Sequence, residues 1–281
     1  MKSLWINPVL NKEIKLRFRS FKGFLGVIFY LFALGLVALG FIIVSTMYGQ
    51  AAIFRPEESR MMFTVLSFVQ MVLILFMTPG LTSGAISGER ERQTLNILLT
   101  TPQSSVSIII SKLVSSISYL LLMMIASLPL YSIVFLFGGV SPSLLISTFC
   151  IYLVTMITIG SLGVMFSTLI RKTIISTIVT YGVTVFLAGG TAFLTTIIGQ
   201  LFMYQQYSQS IVPYLTAMFN PFFILLSNFE SYLTDEIQRL SGIDFPLMAS
   251  FIIIYVLFSV LAIGISIKKL RPKMKAQKRI G

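Results

Sequence analysis

The 281-residue chain has no histidine, one cysteine (Cys150), one tryptophan and nine acidic residues. Without an imidazole there is no His-based catalytic triad, and with a single thiol there is neither an intrachain disulfide nor a His/Cys metal site. Charge is scarce as well, at 11% of residues, against about a quarter in soluble domains. No Gly-x-x-x-x-Gly-Lys-Ser/Thr loop occurs, so ATP is not bound here through a Walker A element. The long apolar runs hold no acid or base in their interiors. That speaks against coupling to a proton gradient, because ion-coupled carriers hold the driving ion on such groups at mid-membrane. Sodium held by carbonyls and hydroxyls stays open. An intramembrane enzyme is disfavoured for the same reason, since general acid–base chemistry lacks its groups. A cleaved leader is not expected: basic residues continue to Lys22, and the apolar run behind them is too long for an h-region.

What the chain has in quantity is apolar length. It is 56% hydrophobic with mean hydropathy +0.92, which points to an all-α integral membrane protein. Lys22 to Arg55 encloses 32 uncharged residues, Arg60 to Glu89 encloses 28, and Lys112 to Arg171 encloses 58. A crossing takes about 20 residues. These runs place spans near 24–47, 61–80, 113–137 and 144–169, the third and fourth hinged at Gly138, Gly139 and Pro142. A fifth span follows Arg171 and Lys172 at about 174–198, and a sixth lies near 245–267. Between them, residues 211–229 are uncharged but contain Pro213, Asn220 and Pro221. Such breaks predict two half-helices dipping into the membrane, where surrounding protein satisfies the freed backbone groups.

Charge distribution supports six spans over seven. With six, 18 of the 21 Lys and Arg fall on the inner side with three acids, while Arg55, Arg60 and Arg239 lie outside with the other six acids. That is a strong positive-inside pattern. A seventh span would move the basic tail, 268–281, to the outside. The expected organisation is therefore a transmembrane domain over 23–267, both termini cytoplasmic, and an outer re-entrant segment at about 200–244. Residues 1–22 read as an interfacial helix with Asn7 as N-cap and Pro8 in its first turn. Ile6, Leu10, Ile14, Phe18 and Phe21 line one face, and Lys12, Lys15, Arg19 and Lys22 the other, toward anionic headgroups. The net charge of +12 thus points to membrane lipid as a partner and not to nucleic acid.

One inner stretch, 79–102, breaks the monotony. Pro79 and Gly80 precede four consecutive charges, Glu89 to Arg92, and then Leu95, Leu98 and Leu99 at i, i+3, i+4 spacing. The pattern predicts a short amphipathic helix at about 87–101, with Glu89 and Glu91 in its first turn and Pro102 ending it. A polar loop would merely keep the surface wet. The order of residues resembles the cytoplasmic coupling segment of ABC-2 type permeases, the membrane subunits of ATP-driven exporters. That pattern is Gly-(Ala/Thr)-Ile-(Ala/Ser)-Gly-Glu-(Arg/Lys)-Glu, then Thr-Leu, a run of leucines and Ser/Thr-Pro. Gly84, Ala85, Ile86, Ser87, Gly88, Glu89, Arg90, Glu91, Thr94, Leu95, Leu98, Leu99, Thr101 and Pro102 match it in order. Gln93 stands where the family often has glycine. The run from Ser167 to Arg171, Lys172 and Thr173 is similar to the family's Ser-x-x-x-Arg-(Arg/Lys)-Thr turn, and Asn220-Pro221-Phe222 to its outer Asn-Pro-Phe. Asn7-Pro8 followed by Lys12-Glu13 resembles the start of its elbow helix.

The resemblance implies a permease subunit whose energy comes from a separate ABC ATPase, which binds the ATP and Mg while this chain holds no cofactor. Glu89, Arg90, Glu91, Arg92, Thr94, Leu95, Leu98 and Leu99 would form the contact that couples the two. Two ATPases would sit below two permeases, the second being another copy or a sister chain, in a bacterial plasma membrane. The family's route runs at the permease interface, mainly along the second and fifth spans. Here those carry Gln70 and Thr78, and Thr177, Thr180, Tyr181 and Thr184, an uncharged set suited to a hydrophobic or amphipathic substrate such as a drug, an antimicrobial peptide or a lipid-like molecule. Such residues are equally the ordinary adhesive of membrane helices. A second reading is a membrane partner of an ABC ATPase that moves nothing and serves in immunity, sensing or scaffolding.

Overall fold

At membrane depth a backbone must satisfy its own hydrogen bonds, and apolar runs of this length do so as helices. A computed structural model describes residues 10, 13–15, 18–48, 56–95, 103–136, 138–205 and 210–270. Every element among them is helical. We number them α1 (Phe21–Tyr48), α2 (Pro56–Thr82), α3 (Ser87–Glu91), α4 (Ser105–Ala126), α5 (Leu128–Leu136), α6 (Pro142–Leu169), α7 (Thr173–Val185), α8 (Thr191–Gln205), α9 (Val212–Phe219), α10 (Pro221–Phe229), α11 (Ser231–Ser241) and α12 (Leu247–Leu270), with a π-helical turn, Phe186–Gly190, between α7 and α8. Six helical stretches among the described residues are long and apolar enough to cross a membrane. They coincide with the six spans read from the sequence.

Two spans are irregular where the sequence reading had them regular. The third divides at Ser127, two residues before Pro129, whose ring excludes the preceding turn and supplies no donor. The fifth passes through the π turn at Phe186–Gly190, over a sequence that ends in Ala188-Gly189-Gly190 and has weak preference for α-helix.

The centre of the molecule is α6, which packs against α2, α4, α7, α10 and α12. Ile151, Tyr152, Met156 and Ile159 are buried there. A glycine brings α6 closest to α2: a Cβ on Gly163 would stand 2.2 Å from Thr82 Oγ1. The first span, α1, lies at the rim on α2, α4 and α5, and its long apolar side chains are exposed, Phe24, Phe29, Phe32 and Leu39 among them.

The loops sort into two ends without reference to any membrane. At one end Arg60 of α2 donates to the Phe229 carbonyl and pairs with Glu230 at 3.4 Å. The same end holds Gly139, at φ +87, whose Cβ position lies 2.2 Å from the Pro56 carbonyl. At the other end Ile86, Leu95, Ile108, Val164 and Leu270 form one apolar cluster. This division matches the one that charge counting makes.

The segment between spans five and six behaves as a closed excursion. Helices α9 and α10, of eight and nine residues, meet at a bend of 97°. Each is about 12–14 Å long, less than half of the roughly 30 Å hydrocarbon. Ser210, just before α9, donates its N–H to the Leu240 carbonyl near the end of α11 at 3.0 Å. A segment whose ends share a hydrogen bond begins and ends on one side, as a re-entrant segment must.

Candidate functional site

Beyond Thr82 the chain leaves α2 through four turn residues and enters α3. The opening N–H groups of so short a helix lack partners within it. Ser167 of α6 supplies the acceptor: its Oγ takes the N–H of Ile86 at 2.8 Å and of Ser87 at 2.9 Å. The Ser87 hydroxyl, fully buried, lies 3.1 Å from the same oxygen. The two inner motifs legible in the sequence are thus one packed unit.

The four charges divide their labour. Arg90 reaches the C-terminal end of α6, donating to the Thr168 carbonyl at 3.1 Å and the Ile170 carbonyl at 3.4 Å. A cation there meets carbonyls that the helix cannot satisfy and the negative end of its dipole. Glu91 does the converse at the next helix, accepting the Thr173 N–H at the start of α7 at 2.8 Å. The bond from that N–H holds its carboxyl below the ordinary carboxylate value. Adjacent residues of opposite charge therefore staple the end of span four and the beginning of span five.

Glu89 turns toward the bundle. Its carboxylate pairs with Lys112 of α4 at 3.1 Å, and Lys112 also pairs with Glu13 at 2.9 Å. Lys112 is only 6% exposed, and a buried ammonium is tolerable when partners of this kind surround it. Partial burial raises the Glu89 carboxyl, but the Thr94 hydroxyl and the Lys112 ammonium outweigh it and leave it below its ordinary value. Above the ordinary carboxylate range the tether is therefore fully charged, and it is lost only as pH falls through that lowered value. Arg92 is exposed.

The helix predicted over 87–101 is interrupted after Glu91, and Leu95 is helical again. After Glu91 the backbone turns, with Gln93 at φ 61, in the left-handed region, and the Thr94 N–H closes onto the Glu89 carbonyl at 3.0 Å. A left-handed residue ends a helix, so Leu95 does not continue the face of α3. It is buried among Ile86, Ile108, Ile109 and Leu113. Leu98, Leu99 and Pro102 lie outside the described residues.

The sequence pattern of the ABC-2 family transporter proteins matches residues 8–268. The chain belongs to the ABC-2 transporter family. It is accordingly a multi-pass component of a membrane transporter, of a family that works with an ABC ATPase and is not itself that ATPase. No curated protein matches it.

Within this ABC-2 chain the other residues singled out from sequence are placed as follows. Lys15 and Arg19 are exposed, Lys12 lies outside the described residues, and the side chain of Lys22 is likewise not described. Leu10, Glu13–Lys15 and Phe18 are helical, and Glu13 ties this stretch to α4 through Lys112. Gln70, Thr78, Thr180 and Thr184 are buried inside the subunit. Thr78, Thr177, Thr180 and Thr184 return their hydroxyls to the carbonyl four residues back, and Tyr181 donates to the Phe76 carbonyl at 2.8 Å. Thr177 also meets Ser83 at 2.8 Å. The Tyr181 and Ser83 contacts join spans two and five. Cavities lie farther out along the fifth span: one of about 330 Å³ is lined by Phe186, Thr191, Leu215, Phe219 and Phe258.

Sequence reasoning missed Lys112, Glu13 and Ser167 as members of this site. The signal for Lys112 was its place as the first charge before a 58-residue uncharged run, where an ammonium at a span's mouth needs a counter-ion. Asn220 was noticed only as part of a motif. Its Nδ2 donates to the Ala188 carbonyl and to Thr191 Oγ1, each at 2.8 Å, while its Oδ1 caps α10 by accepting the Phe223 N–H at 2.8 Å. It thus plugs the tip of the re-entrant pair into the π turn of span five.

Proposed function

We propose that the chain is the permease subunit of an ABC-2 exporter that moves a hydrophobic or amphipathic substrate, such as a drug, an antimicrobial peptide or a lipid-like molecule. A separate ATPase that binds ATP and Mg docks on the inner face and drives it. The observation that carries this reading is the inner unit itself. Three of its charges are spent inside the subunit, on spans three, four and five, so that the exposed tip, Glu91 to Thr94, stands on a base tied to most of the bundle. A push on the tip reaches those spans through hydrogen bonds and ion pairs.

In this proposal Glu89, Arg90 and Glu91 are positioning residues, Arg92 and Thr94 face the ATPase, and Leu95 anchors the unit from behind. Leu98 and Leu99 continue the contact. Two permeases, identical or sisters, stand over two ATPases in a bacterial plasma membrane, with both termini cytoplasmic. Lys12, Lys15, Arg19 and Lys22 rest on anionic lipid. The substrate passes between permeases along spans two and five.

The test is purification of the tagged full chain from its native membrane in mild detergent, with mass identification of what accompanies it. An ABC ATPase at one copy per permease is expected, lost with Arg92→Glu and retained with the outer-face control Asp235→Lys. A folded, oligomeric chain that brings no ATPase would sink the proposal.

A further inference from the structure

Helix α11 closes the outer excursion by packing on α9 and α10. Between it and the outer half of α8 lies a cavity of about 240 Å³. The walls are of two kinds. Phe223 and Leu233 supply apolar surface, while Thr195, Thr196, Gln200 and Glu236 supply polar groups. Gly199 leaves the space open on the α8 side, since a Cβ added there would meet nothing within 4 Å.

The polar groups favour one sign of ligand. Thr195 spends its hydroxyl proton on the Thr191 carbonyl at 2.8 Å, and Thr196 spends its own on the Ala192 and Phe193 carbonyls at 3.1 and 2.9 Å. Each hydroxyl has only lone pairs left to offer. The Gln200 amide can serve either sign. Glu236 brings a full negative charge on a side chain 29% exposed, and the Arg239 that faces it at 3.8 Å is itself 79% exposed. So loose a surface pair leaves the carboxylate free to take another cation. Among the described residues no basic side chain lines the cavity. An anion would meet acceptors and a like charge here. A bare metal ion such as calcium wants about six or more oxygens and gains nothing from the apolar wall. An ammonium on an apolar body suits both walls: its N–H groups meet the oxygens, its charge meets Glu236, and Phe223 and Leu233 cover the rest.

We propose that this cavity is a binding site for an amphipathic organic cation, an ammonium carrying a small apolar group. Its volume lies just under the range of small-molecule pockets, about 300–1,000 Å³, which sets the modest size of that group. That the ligand is cargo rests on the exporter reading above, for which the site narrows the substrate from any amphipath to a cationic one. That it binds does not, because every wall of the site belongs to one subunit.

Ligand-observed NMR titration of the full-length protein in phosphatidylcholine nanodiscs tests it. The probe is phenethylammonium, the control is hydrocinnamate, an anion of matching shape, and empty nanodiscs correct for partition into lipid. The ammonium is expected to bind saturably and the anion not to. Glu236→Gln should weaken the ammonium at least about fivefold, the worth of a modest ion pair. Gly199→Leu should block binding by filling the cavity, and it puts the fold at no risk because leucine is the better helix former. No saturable binding of the ammonium, equal binding of the two probes, or binding that neither substitution changes would overturn the proposal, whichever ATPase accompanies the chain. Failure to recover an ATPase would sink the exporter reading and leave this binding result standing.

Discussion

Gln93 is where a single residue carries the most conformational information. Its φ of 61 is a region glycine enters freely and a side chain enters at about 1 kcal/mol, and a β-branched side chain is the poorest fit of all. Gln93→Gly should hold or raise the thermal midpoint of the purified protein in nanodiscs, and Gln93→Val should lower its stability by about 1–2 kcal/mol. The reverse order would show that the turn is not left-handed. In the sequence Gln93 stood out only as a departure from a glycine in the motif it resembles, and no pattern within the chain says that a glutamine turns left-handed. The charges beside it teach a related lesson. Read in line, Glu89 to Arg92 look like four solvated charges facing a partner. In three dimensions Arg90 and Glu91 answer helix termini from α6 and α7, and those partial charges exist only once the helices are formed and brought alongside.

At the scale of elements, the joint between the re-entrant pair and span five is the least replaceable contact. Removing Asn220 strips α10 of its cap and strips the Ala188 carbonyl of a donor in a setting that offers no water. Asn220→Ala should therefore cost about 2–4 kcal/mol. Asn220→Asp should do no better, because the cap survives while a carboxylate faces the Ala188 carbonyl and the Thr191 oxygen. Thermal unfolding in nanodiscs measures both, and wild-type stability in either variant would remove the joint from the account. Asn220-Pro221 could be read from sequence as a helix start, an N-cap followed by a proline in the first turn. Its second task could not, because the π turn it serves lies about 30 residues away and has no local signature beyond two glycines. The interruption after α3 was hidden for the same reason: leucines at helical spacing argue for one unbroken helix, yet the chain turns at Gln93 and Leu95 enters the cluster with Ile108 and Leu270.

For the whole molecule, the grouping of loops into two ends predicts a labelling pattern. In a Cys150→Ser background, Asp235→Cys should react with an impermeant thiol reagent applied outside intact cells, and Lys269→Cys only after the cells are opened. Both positions are exposed, so the opposite pattern would invert the topology. The sequence by itself determined the membrane class, the six spans, the re-entrant character of the segment around Asn220 and the family. Those follow from the transfer of individual residues between water and lipid, from the sign of charges beside each span, and from the order of residues in short motifs, all of which are local properties of the chain. Only the tertiary structure decided that Glu89 pairs with Lys112, that Ser167 opens α3, and that span three is interrupted at Ser127 while span five takes a π turn. Each of these depends on groups from separate helices meeting at hydrogen-bonding distance, and such meetings are set by the packing of α6 against its neighbours, down to the absence of a Cβ at Gly163.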